Sequence, residues 1–581
     1  MPVTKLPPNF LWGFATASFQ IEGYTDAGGR GPSIWDGFSR LPGKTLDGKN
    51  GDVSCGSYKL WETDIALLKQ YGVNTYRFSL SWSRIIPLGG RNDPVNPEGI
   101  AFYSAFIDSL LENNIVPFVT LYHWDLPQAL HDRYGGWLNK DEIVKDYTNY
   151  AKVCFEAFGD RVKHWLTVNE PWCVAILGYG RGVFAPGRSS DRARSTEGDS
   201  STEPWIVGRN VILAHAHGAK LYREKYKPTQ RGQIGITLNG DWEMPYDGTP
   251  ESTCPQRTRS PKSLHIDALS PRHRSSTNRP RLRHRHVALP PTRCFLPTIL
   301  MLFSDVLAGW YADPIYLGHY PASMERILGA RLPPFTPEEW KIVKGSSDFY
   351  GMNTYTTNLA RAGGDDEFQG FVDYTFTRAD GTQLGKQAHC AWLQDYPEGF
   401  RSLLNYLWKR YKLPIYVTEN GFAVMNESSK SREEALKDTD RVNYYRGVTA
   451  AMQAAISEDG VDVRSYLAWS LLDNFEWADG YTTRFGVTYI DYDTLERFPK
   501  ESAAFVKQWF TERIQAPSPT LPHLASSNSP TLSTTSTIPA KSGSASASAI
   551  SLAHPTMLSQ LKAWIAKYVD ALLALLKLRR R

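Results

Sequence analysis

Cysteine is scarce in this sequence, and its spacing gives no sign of a metal site. Six cysteines occur among 581 residues, and no two form a CxxC pair or stand in the spacing that zinc sites use. Glycine-rich loops that cradle phosphate groups are also missing. The cysteines are Cys55, Cys154, Cys173, Cys254, Cys294 and Cys390. The sequence therefore predicts free thiols in a reducing compartment, and it predicts neither a metal site nor a cofactor.

Long apolar runs are equally rare. Residues 1–9 lack the apolar stretch of a secretory signal, so we predict a cytoplasmic location. Near the other end, an apolar segment is interrupted by charges, and its longest uncharged run is 571–576. A transmembrane helix needs about 20 apolar residues in succession. We therefore predict no helix that spans a membrane.

Net charge is small, at +5, and the positive excess is local. Residues 255–295 carry +9 and residues 515–581 carry +6, which leaves −10 on the rest of the chain. An acidic surface does not attract the phosphate backbone of nucleic acids. No nucleic-acid partner is therefore expected for the body of the protein.

Residues 252–297 are rich in proline, serine, arginine and histidine and show no apolar period. Such a segment cannot bury enough apolar surface to offset the entropy lost on ordering it. We predict a disordered basic insertion, with nucleic-acid binding through its arginines as the alternative. The run that follows, 298–311, places Ile299, Leu302, Val306 and Trp310 at helical spacing, and we predict a helix there.

The C-terminal stretch falls into two parts. Residues 515–555 are rich in serine, threonine, proline and alanine, which predicts a flexible linker. Residues 556–581 place apolar side chains three or four positions apart and end in three arginines, which predicts a basic amphipathic helix. Weak contact with a membrane surface, docking on a protein or a second copy, and an inert appendage all fit this pattern. The oligomeric state is not predicted.

Eight strand-like runs alternate with helical patterns along most of the chain. The strand-like runs are 10–18, 75–82, 116–124, 164–170, 232–239, 348–355, 414–419 and 465–472. The main helical patterns are 61–71, 99–112, 141–158, 204–226 and 398–411. This alternation is typical of an α/β fold, the (β/α)8 TIM barrel, in which the active site lies at the carboxyl ends of the strands.

Two of the predicted strands end in a glutamate. Glu170 is followed by Pro171, and Glu419 is followed by an Asn-Gly turn. The two glutamates are 249 positions apart, so only the fold could bring them together. A pair of carboxylates suits cleavage of a glycosidic bond, because one protonates the leaving oxygen and the other attacks the anomeric carbon or activates water. Two structural ion-pair partners are the alternative interpretation.

Four motifs carry a family resemblance. They are Phe-Leu-Trp-Gly-Phe-Ala-Thr-Ala-Ser-Phe-Gln-Ile-Glu-Gly at 10–23, Thr-Val-Asn-Glu-Pro at 167–171, Val-Thr-Glu-Asn-Gly at 417–421 and Leu-Ala-Trp-Ser-Leu-Leu-Asp-Asn-Phe-Glu-Trp at 467–477. In this order they resemble glycoside hydrolase family 1, and most of all its fungal intracellular β-glucosidases. The resemblance covers about 7–251 and 308–514. It implies a (β/α)8 barrel that hydrolyses small β-glucosides, such as cellobiose or aryl glucosides, with retention.

The resemblance also implies roles for single residues. Glu170 matches the acid/base, Glu419 the nucleophile, and Tyr355 the tyrosine that hydrogen-bonds the nucleophile. Arg77, at the second strand end, is expected beside Glu419, where its charge lowers the pKa of that carboxyl. Asn169 is expected to hold the sugar 2-hydroxyl. The positions that match substrate-binding residues are Gln20, His123, Asn169, Trp469, Glu476 and Trp477.

Departures from the family and open alternatives bear on this function. Position 170 carries a glutamate and not a glutamine, so its carboxyl group can protonate the leaving oxygen of an ordinary O-glycoside. Related enzymes act on β-galactosides or β-fucosides, and these sugars differ from glucosides by only a few hydrogen bonds. The insertion at 252–297 has no recognised family counterpart, so a non-catalytic protein with a disrupted barrel is a further alternative.

Overall fold

The computed structural model describes residues 5–246 and 305–514 of the chain, and all of them belong to one structural unit. The predicted basic insertion, linker and C-terminal amphipathic helix lie outside the described residues. Among the described helices, none combines the length and the apolar character needed to cross a membrane.

Within the described residues, eight parallel strands close into a barrel. Each strand pairs with the next in the chain, and β8 pairs with β1. The strands are β1 (Leu11–Ala15), β2 (Thr75–Ser79), β3 (Val116–Tyr122), β4 (His164–Asn169), β5 (Gln233–Asn239), β6 (Tyr350–Asn353), β7 (Ile415–Asn420) and β8 (Val463–Trp469). All eight predicted runs overlap these strands, which confirms the (β/α)8 barrel. Most predicted runs extend too far at the carboxyl end, because the polar residues there belong to loops.

Seven helices of 13 residues or more lie in the described part of the chain. They are α1 (Ser57–Tyr71), α2 (Pro97–Glu112), α3 (Lys140–Phe158), α4 (Glu203–Leu221), α5 (Pro397–Tyr411), α6 (Thr439–Ser457) and α7 (Glu501–Arg513). Five of them coincide with the predicted helical patterns to within a turn. The fourth pattern changes at Tyr222–Tyr226 into a π-helical segment.

Helix α2 shows how the local sequence sets such an element. Asn96 precedes it and accepts a hydrogen bond from the Glu98 backbone N–H, and Pro97 occupies the first turn, where its missing N–H is not needed. Ile107 and Leu110 are buried on the face that packs on the barrel.

Shorter elements of the described part lie mostly in the loops. Short helical segments are Ser18–Ile21, Ile34–Ser39, Trp82–Ile85, Gln128–Tyr134, Gly136–Leu138, Cys173–Leu177, Lys227–Gln230, Asp305–Gly309, Trp310–Ala312, Asp313–Leu317, Ala322–Leu328, Gly329–Arg331, Pro337–Val343, Glu367–Gln369, Glu427–Ser429, Arg432–Ala435 and Trp477–Asp479. Small sheets join Trp242–Pro245 with Thr357–Ala362 and Val372–Thr375, Lys386–Gln387 with Gln394–Asp395, and Thr488–Ile490 with Arg497–Pro499. The helix predicted at 298–311 is helical from residue 305, and 298–304 lie outside the described residues.

Rings fill the amino-terminal end of the barrel. Phe118 on β3 packs against His164 on β4 and Tyr416 on β7, with ring centroids 5.0 and 5.7 Å apart. Phe349, just before β6, lies 4.6 Å from Tyr416. These strands lie on different sides of the barrel, so the rings meet inside it, and burial lowers the pKa of His164 to about 4. This end is therefore closed by packing.

Candidate active site

A buried cation organises the carboxyl ends of β2, β4 and β7. Arg77, on β2, is inaccessible to solvent. Its guanidinium donates to Glu419 Oε1 at 2.6 Å and to Asn169 Oδ1 at 2.7 Å, and its Nε donates to Thr120 Oγ1 at 3.1 Å. A buried charge is tolerated only with such partners. Arg77 therefore fixes the two predicted catalytic strands relative to each other.

Glu419, near the end of β7, is held at both carboxylate oxygens. Arg77 donates to Oε1, and the Tyr355 hydroxyl donates to Oε2 at 2.7 Å. Burial raises the pKa of Glu419, while the Arg77 charge and the hydrogen bonds from Tyr355, Arg77 and Asn353 oppose this by stabilising the carboxylate. The expected contact with Arg77 is present, but the net direction of the pKa is upward, because burial outweighs the cation.

Glu170, directly after β4, has a different set of partners. Asn353 Nδ2 donates to Oε1 at 2.8 Å, and the Cys173 thiol donates to Oε2 at 3.1 Å. Burial is the largest influence that raises the pKa of Glu170, and the nearby charge of Glu419 raises it further. Arg77 is the weakest of the opposing influences. Glu419 has a cation and a hydroxyl at its oxygens, so the charged form of Glu170 is the less stabilised of the two, which suits Glu170 to carry a proton.

Asn353 links the two halves of the site, and it is not among the residues predicted from the sequence. Its amide donates to Asn169 Oδ1 at 3.0 Å as well as to Glu170, and its Oδ1 accepts from Thr418 at 2.7 Å. Its position at the end of a predicted strand, two residues before Tyr355, is the signal that could have identified it. Nothing in the sequence indicates that Cys173 contacts Glu170.

Backbone strain is concentrated at this end of the barrel. Trp124, Glu170 and Trp477 have φ angles of +77°, +44° and +53°, in the left-handed region that bulky residues rarely adopt. Each such residue costs on the order of 1–3 kcal/mol and persists only where its surroundings hold it. Trp124 is held in part by donating from Nε1 to the Asn169 carbonyl at 2.9 Å.

A cavity of about 460 Å³ opens onto these residues. This volume suits a small-molecule ligand. Among its lining residues are seven of the predicted site residues: His123, Glu170, Tyr355, Glu419, Trp469, Glu476 and Trp477. Arg77, Asn169 and Gln20 are not among the lining residues. Each of them contacts a residue that does line the cavity: Arg77 donates to Glu419, the Asn169 amide faces His123, and Gln20 donates to Glu476.

The hydrogen bonds around His123 set its protonation state. Asn169 Oδ1 accepts from Arg77 and Asn353, so the Asn169 amide nitrogen is the atom that faces His123 Nε2, at 3.0 Å. Nε2 must therefore accept, and Nδ1 carries the proton. Burial and the Arg77 charge hold the pKa of His123 well below its usual range. Its Nδ1 has no hydrogen-bond partner among the described residues and is free to donate to a ligand.

Gln20 and Glu476 form a second polar group at the cavity. Gln20 Nε2 donates to the Phe475 carbonyl at 3.0 Å and to Glu476 Oε2 at 3.3 Å. Within the described residues Gln20 Oε1 has no partner, although it is buried. Burial raises the pKa of Glu476 well above its usual range, and the charges of Asp479 and Glu419 raise it further.

Aromatic rings complete the wall. Trp469 and Trp477 each stack with His123, with ring centroids 5.9 Å apart in both pairs. Trp477 also packs against Trp35 and Trp124 at 4.6 Å. Rigid ring faces beside unpaired polar atoms are what a sugar, with its C–H faces and hydroxyls, requires. The arrangement can therefore bind a monosaccharide against two carboxyl groups that differ in their tendency to ionise.

The chain is similar to known beta-glucosidases over most of its length. The chain is 65% identical over 556 residues to beta-glucosidase 1B of Phanerodontia chrysosporium, a match that covers 94% of this chain and 95% of that protein. A GH1 beta-glucosidase from the fungus Humicola insolens, solved with glucose, is 49% identical, with a TM-score of 0.79 over 88% of this chain and all of that one. A covalent complex with Glc of the rice Os3BGlu6 beta-glucosidase is 40% identical, with a TM-score of 0.76 over 88% and 99% of the two chains.

Among the described residues, no group of three or more histidine, cysteine, aspartate or glutamate side chains is arranged to hold a metal ion.

The model of glycosyl hydrolase family 1 matches residues 3–265 and 300–515, which is most of the chain. This protein therefore belongs to glycosyl hydrolase family 1.

Proposed function

We propose that this protein is a retaining β-glucosidase that removes terminal non-reducing β-D-glucosyl residues from cellobiose-like or aryl β-glucosides. The observation that carries the proposal is that Glu170 and Glu419 line one cavity but have different partners. Glu419 has a cation and a tyrosine hydroxyl at its oxygens, whereas Glu170 has an amide and a thiol. One is thus suited to be the nucleophile and the other the acid.

In the first step, the Glu419 carboxylate attacks the anomeric carbon, and the bond from that carbon to the leaving oxygen breaks. Glu170 gives its proton to that oxygen, so the aglycone leaves as a neutral alcohol. A glucosyl ester remains on Glu419. Tyr355 and Arg77, which hold the two carboxylate oxygens, orient the attack and support the charge that returns to the carboxylate later.

In the second step, Glu170 acts as a base. Esterification removes the negative charge of Glu419, which is the second-largest influence that raises the pKa of Glu170, so this pKa falls. Glu170 then takes a proton from water, and the water oxygen attacks the anomeric carbon as the ester bond breaks. Two displacements at one carbon restore the original configuration. Glu170 is again protonated and Glu419 again ionised.

The buried polar atoms that have no partner in the described part of the chain are proposed to bind the glucose hydroxyls. His123 Nδ1–H can donate, and Gln20 Oε1 can accept. Glu476 adds a carboxyl beside Gln20. Asn169, which contacts Arg77 and His123, is proposed to bind the 2-hydroxyl. Trp469 and Trp477 supply ring faces for the sugar C–H groups. These interactions fix the anomeric carbon relative to the two glutamates.

Covalent trapping tests the proposal directly. A 2-fluoro glucoside should inactivate the enzyme, and the labelled peptide should contain Glu419. Glu419→Ala should abolish turnover, and added azide should restore part of it with an inverted product, because the small anion takes the vacated position below the sugar. A label on another residue, or no rescue by azide or formate, would reject the assignment of the nucleophile.

Two alternatives remain: a preference for another sugar, and a non-catalytic protein with a disrupted barrel. Higher rates on nitrophenyl glucoside than on nitrophenyl galactoside or fucoside are expected, and a strong galactose preference would replace glucoside by galactoside in the proposal. The non-catalytic alternative depended on a barrel disrupted by the insertion. The barrel of the described residues is closed, which supports a folded enzyme.

We also propose that the enzyme works in a reducing compartment such as the cytoplasm. The four cysteines of the described part, Cys55, Cys154, Cys173 and Cys390, are buried free thiols. Burial raises the pKa of each of them, so they are weak nucleophiles rather than reactive groups. Fractionation of the native host with an antibody against the chain tests this location.

A further inference from the structure

Asp241 lies at a junction between two sheets. In the barrel, β5 pairs with β6, and their last partners are Asn239 and Asn353. The same two chain segments pair again outside the barrel, where Trp242 is the partner of Thr357. Between these two pairings, residues 354–356 leave the sheet, and Asp241 stands opposite them. The backbone N–H groups at such a break need an acceptor that the strands no longer supply.

The Asp241 carboxylate provides that acceptor. Its Oδ1 accepts from the Thr354 hydroxyl at 3.1 Å, from the Tyr355 backbone N–H at 3.0 Å and from the Thr356 backbone N–H at 3.1 Å. Three donors on one charged oxygen make this a strong local anchor. Asp241 also belongs to the lining of the cavity that contains the two glutamates.

The backbone of Tyr355 is held on both sides. The Tyr355 carbonyl accepts from the Tyr444 hydroxyl at 2.8 Å, so Asp241 and Tyr444 hold opposite sides of this residue. Its ring meets Phe485 and Trp392 edge to face, at 5.9 and 5.6 Å, and Trp392 is 46% exposed. Phe485 is buried but Trp392 is partly open to solvent, so the ring is packed firmly on one side only and the backbone contacts help to set where the Tyr355 hydroxyl points.

We propose that Asp241 is a positioning residue for the nucleophile, which it orients through Tyr355. The chain of contacts runs from the Asp241 carboxylate to the Tyr355 backbone, and from the Tyr355 hydroxyl to Glu419 Oε2. A small shift of the Tyr355 peptide lengthens the 2.7 Å hydrogen bond and frees the carboxylate to rotate about its contact with Arg77. The inference rests on the proposed role of Glu419.

A double-mutant cycle with Tyr355→Phe tests this inference. Asp241→Ala should lower kcat/KM on an aryl β-glucoside, and the rate of inactivation by a 2-fluoro glucoside, by about 10-fold or more in the natural background. In the Tyr355→Phe background, the same change should cost less than about 3-fold, because the hydroxyl that Asp241 positions is already gone. Asp241→Asn keeps an acceptor oxygen and should retain most of the activity.

Equal losses in both backgrounds would overturn the inference, since Asp241 would then act on the fold or on the substrate directly. Asp380→Ala is the matched control, because Asp380 also accepts from a backbone N–H and a hydroxyl in a loop but is exposed. It should leave both rates unchanged. If Asp241→Ala does not fold, the cycle is run with Asp241→Leu, which also removes the acceptor oxygens but fills more of the space. If the natural protein has no activity on the aryl β-glucoside, the proposed function is rejected. If it is active but the effects of the two substitutions add independently, only the role of Asp241 is rejected.

Discussion

At the scale of single residues, the site shows how one side-chain type takes two roles. Glu170 and Glu419 are both buried and both face the same cavity. The difference comes from their partners, because Arg77 and Tyr355 bind Glu419 while Glu170 feels the charge of Glu419. Chemistry that needs one ionised and one protonated carboxyl at the same pH therefore follows from the placement of one arginine and one tyrosine.

Replacing the proposed acid should affect substrates unequally. Glu170→Ala should lower kcat/KM on cellobiose by roughly 10²–10⁴-fold, because the sugar leaving group needs its proton. Nitrophenyl glucoside should lose far less in the glycosylation step, since nitrophenolate leaves without a proton. The natural enzyme should lose activity as pH rises through the raised pKa of Glu170, and this alkaline limb should vanish in the variant. Similar losses on both substrates would contradict the acid role.

The thiol beside the acid leads to a second prediction about pH. Cys173 donates to Glu170 Oε2, and a donor to a carboxylate favours the charged form and lowers the pKa. Cys173→Ala should therefore move the alkaline limb of kcat/KM to higher pH. Cys173→Ser keeps a donor and should leave the limb close to its natural position. A limb that stays in place or moves to lower pH in the alanine variant would show that the thiol does not tune Glu170.

Much of this site could be predicted from the sequence, because strand ends carry the catalytic side chains in this fold. Glu419, Arg77 and Tyr355 stand at such ends and meet as expected, and Glu170 lines the same cavity. Asn353 is also at a strand end, but an asparagine side chain neither ionises nor acts as a nucleophile, so its presence there does not indicate a catalytic role. Contacts that form only across the barrel, or across one helical turn, leave no local pattern in the sequence.

At the scale of elements, a buried ion network ties the loops after β7 and β8 to the start of α7. Lys500 donates to Glu427 Oε1 and to Asp473 Oδ1, both at 2.7 Å. Arg441 on α6 binds Glu427, and Arg484 binds Asp473. The loop after β8 also carries Glu476 and Trp477, so the network supports one wall of the cavity. No single stretch of sequence contains the network, so it was not predicted.

Removing one member of this network should be strongly destabilising. Lys500→Met leaves two buried carboxylates short of a cation, which costs on the order of 3–5 kcal/mol. Because a chain of this size often unfolds irreversibly, the expected fall in melting temperature should be measured at one fixed scan rate. Arg401→Ala removes a surface cation that pairs with Glu458 and Asp459 and should leave the melting temperature essentially unchanged. Equal effects of the two changes would contradict a supporting role for the network.

At the scale of the whole molecule, the distribution of charge separates the enzyme from its added segments. The parts outside 255–295 and 515–581 carry −10 in total, while those two segments carry +9 and +6. The family model likewise skips 266–299 and stops at 515. The residues that the family model leaves out, 266–299 and 516–581, therefore carry most of the positive excess. Whatever the two basic segments do, we expect it to be separate from the hydrolysis of the substrate.

The C-terminal segment allows this separation to be tested. Residues 556–581 combine apolar side chains at helical spacing with terminal arginines, a pattern that binds anionic membrane surfaces. Truncation after Ile514 should leave kcat and KM on an aryl β-glucoside unchanged, because the family model ends at residue 515. If the segment binds membranes, the full chain sediments with liposomes that contain phosphatidylserine and the truncated chain stays in the supernatant. Equal sedimentation of both forms would reject a membrane role and leave docking on a protein as the remaining binding role, which the mass of the two forms in solution would then test.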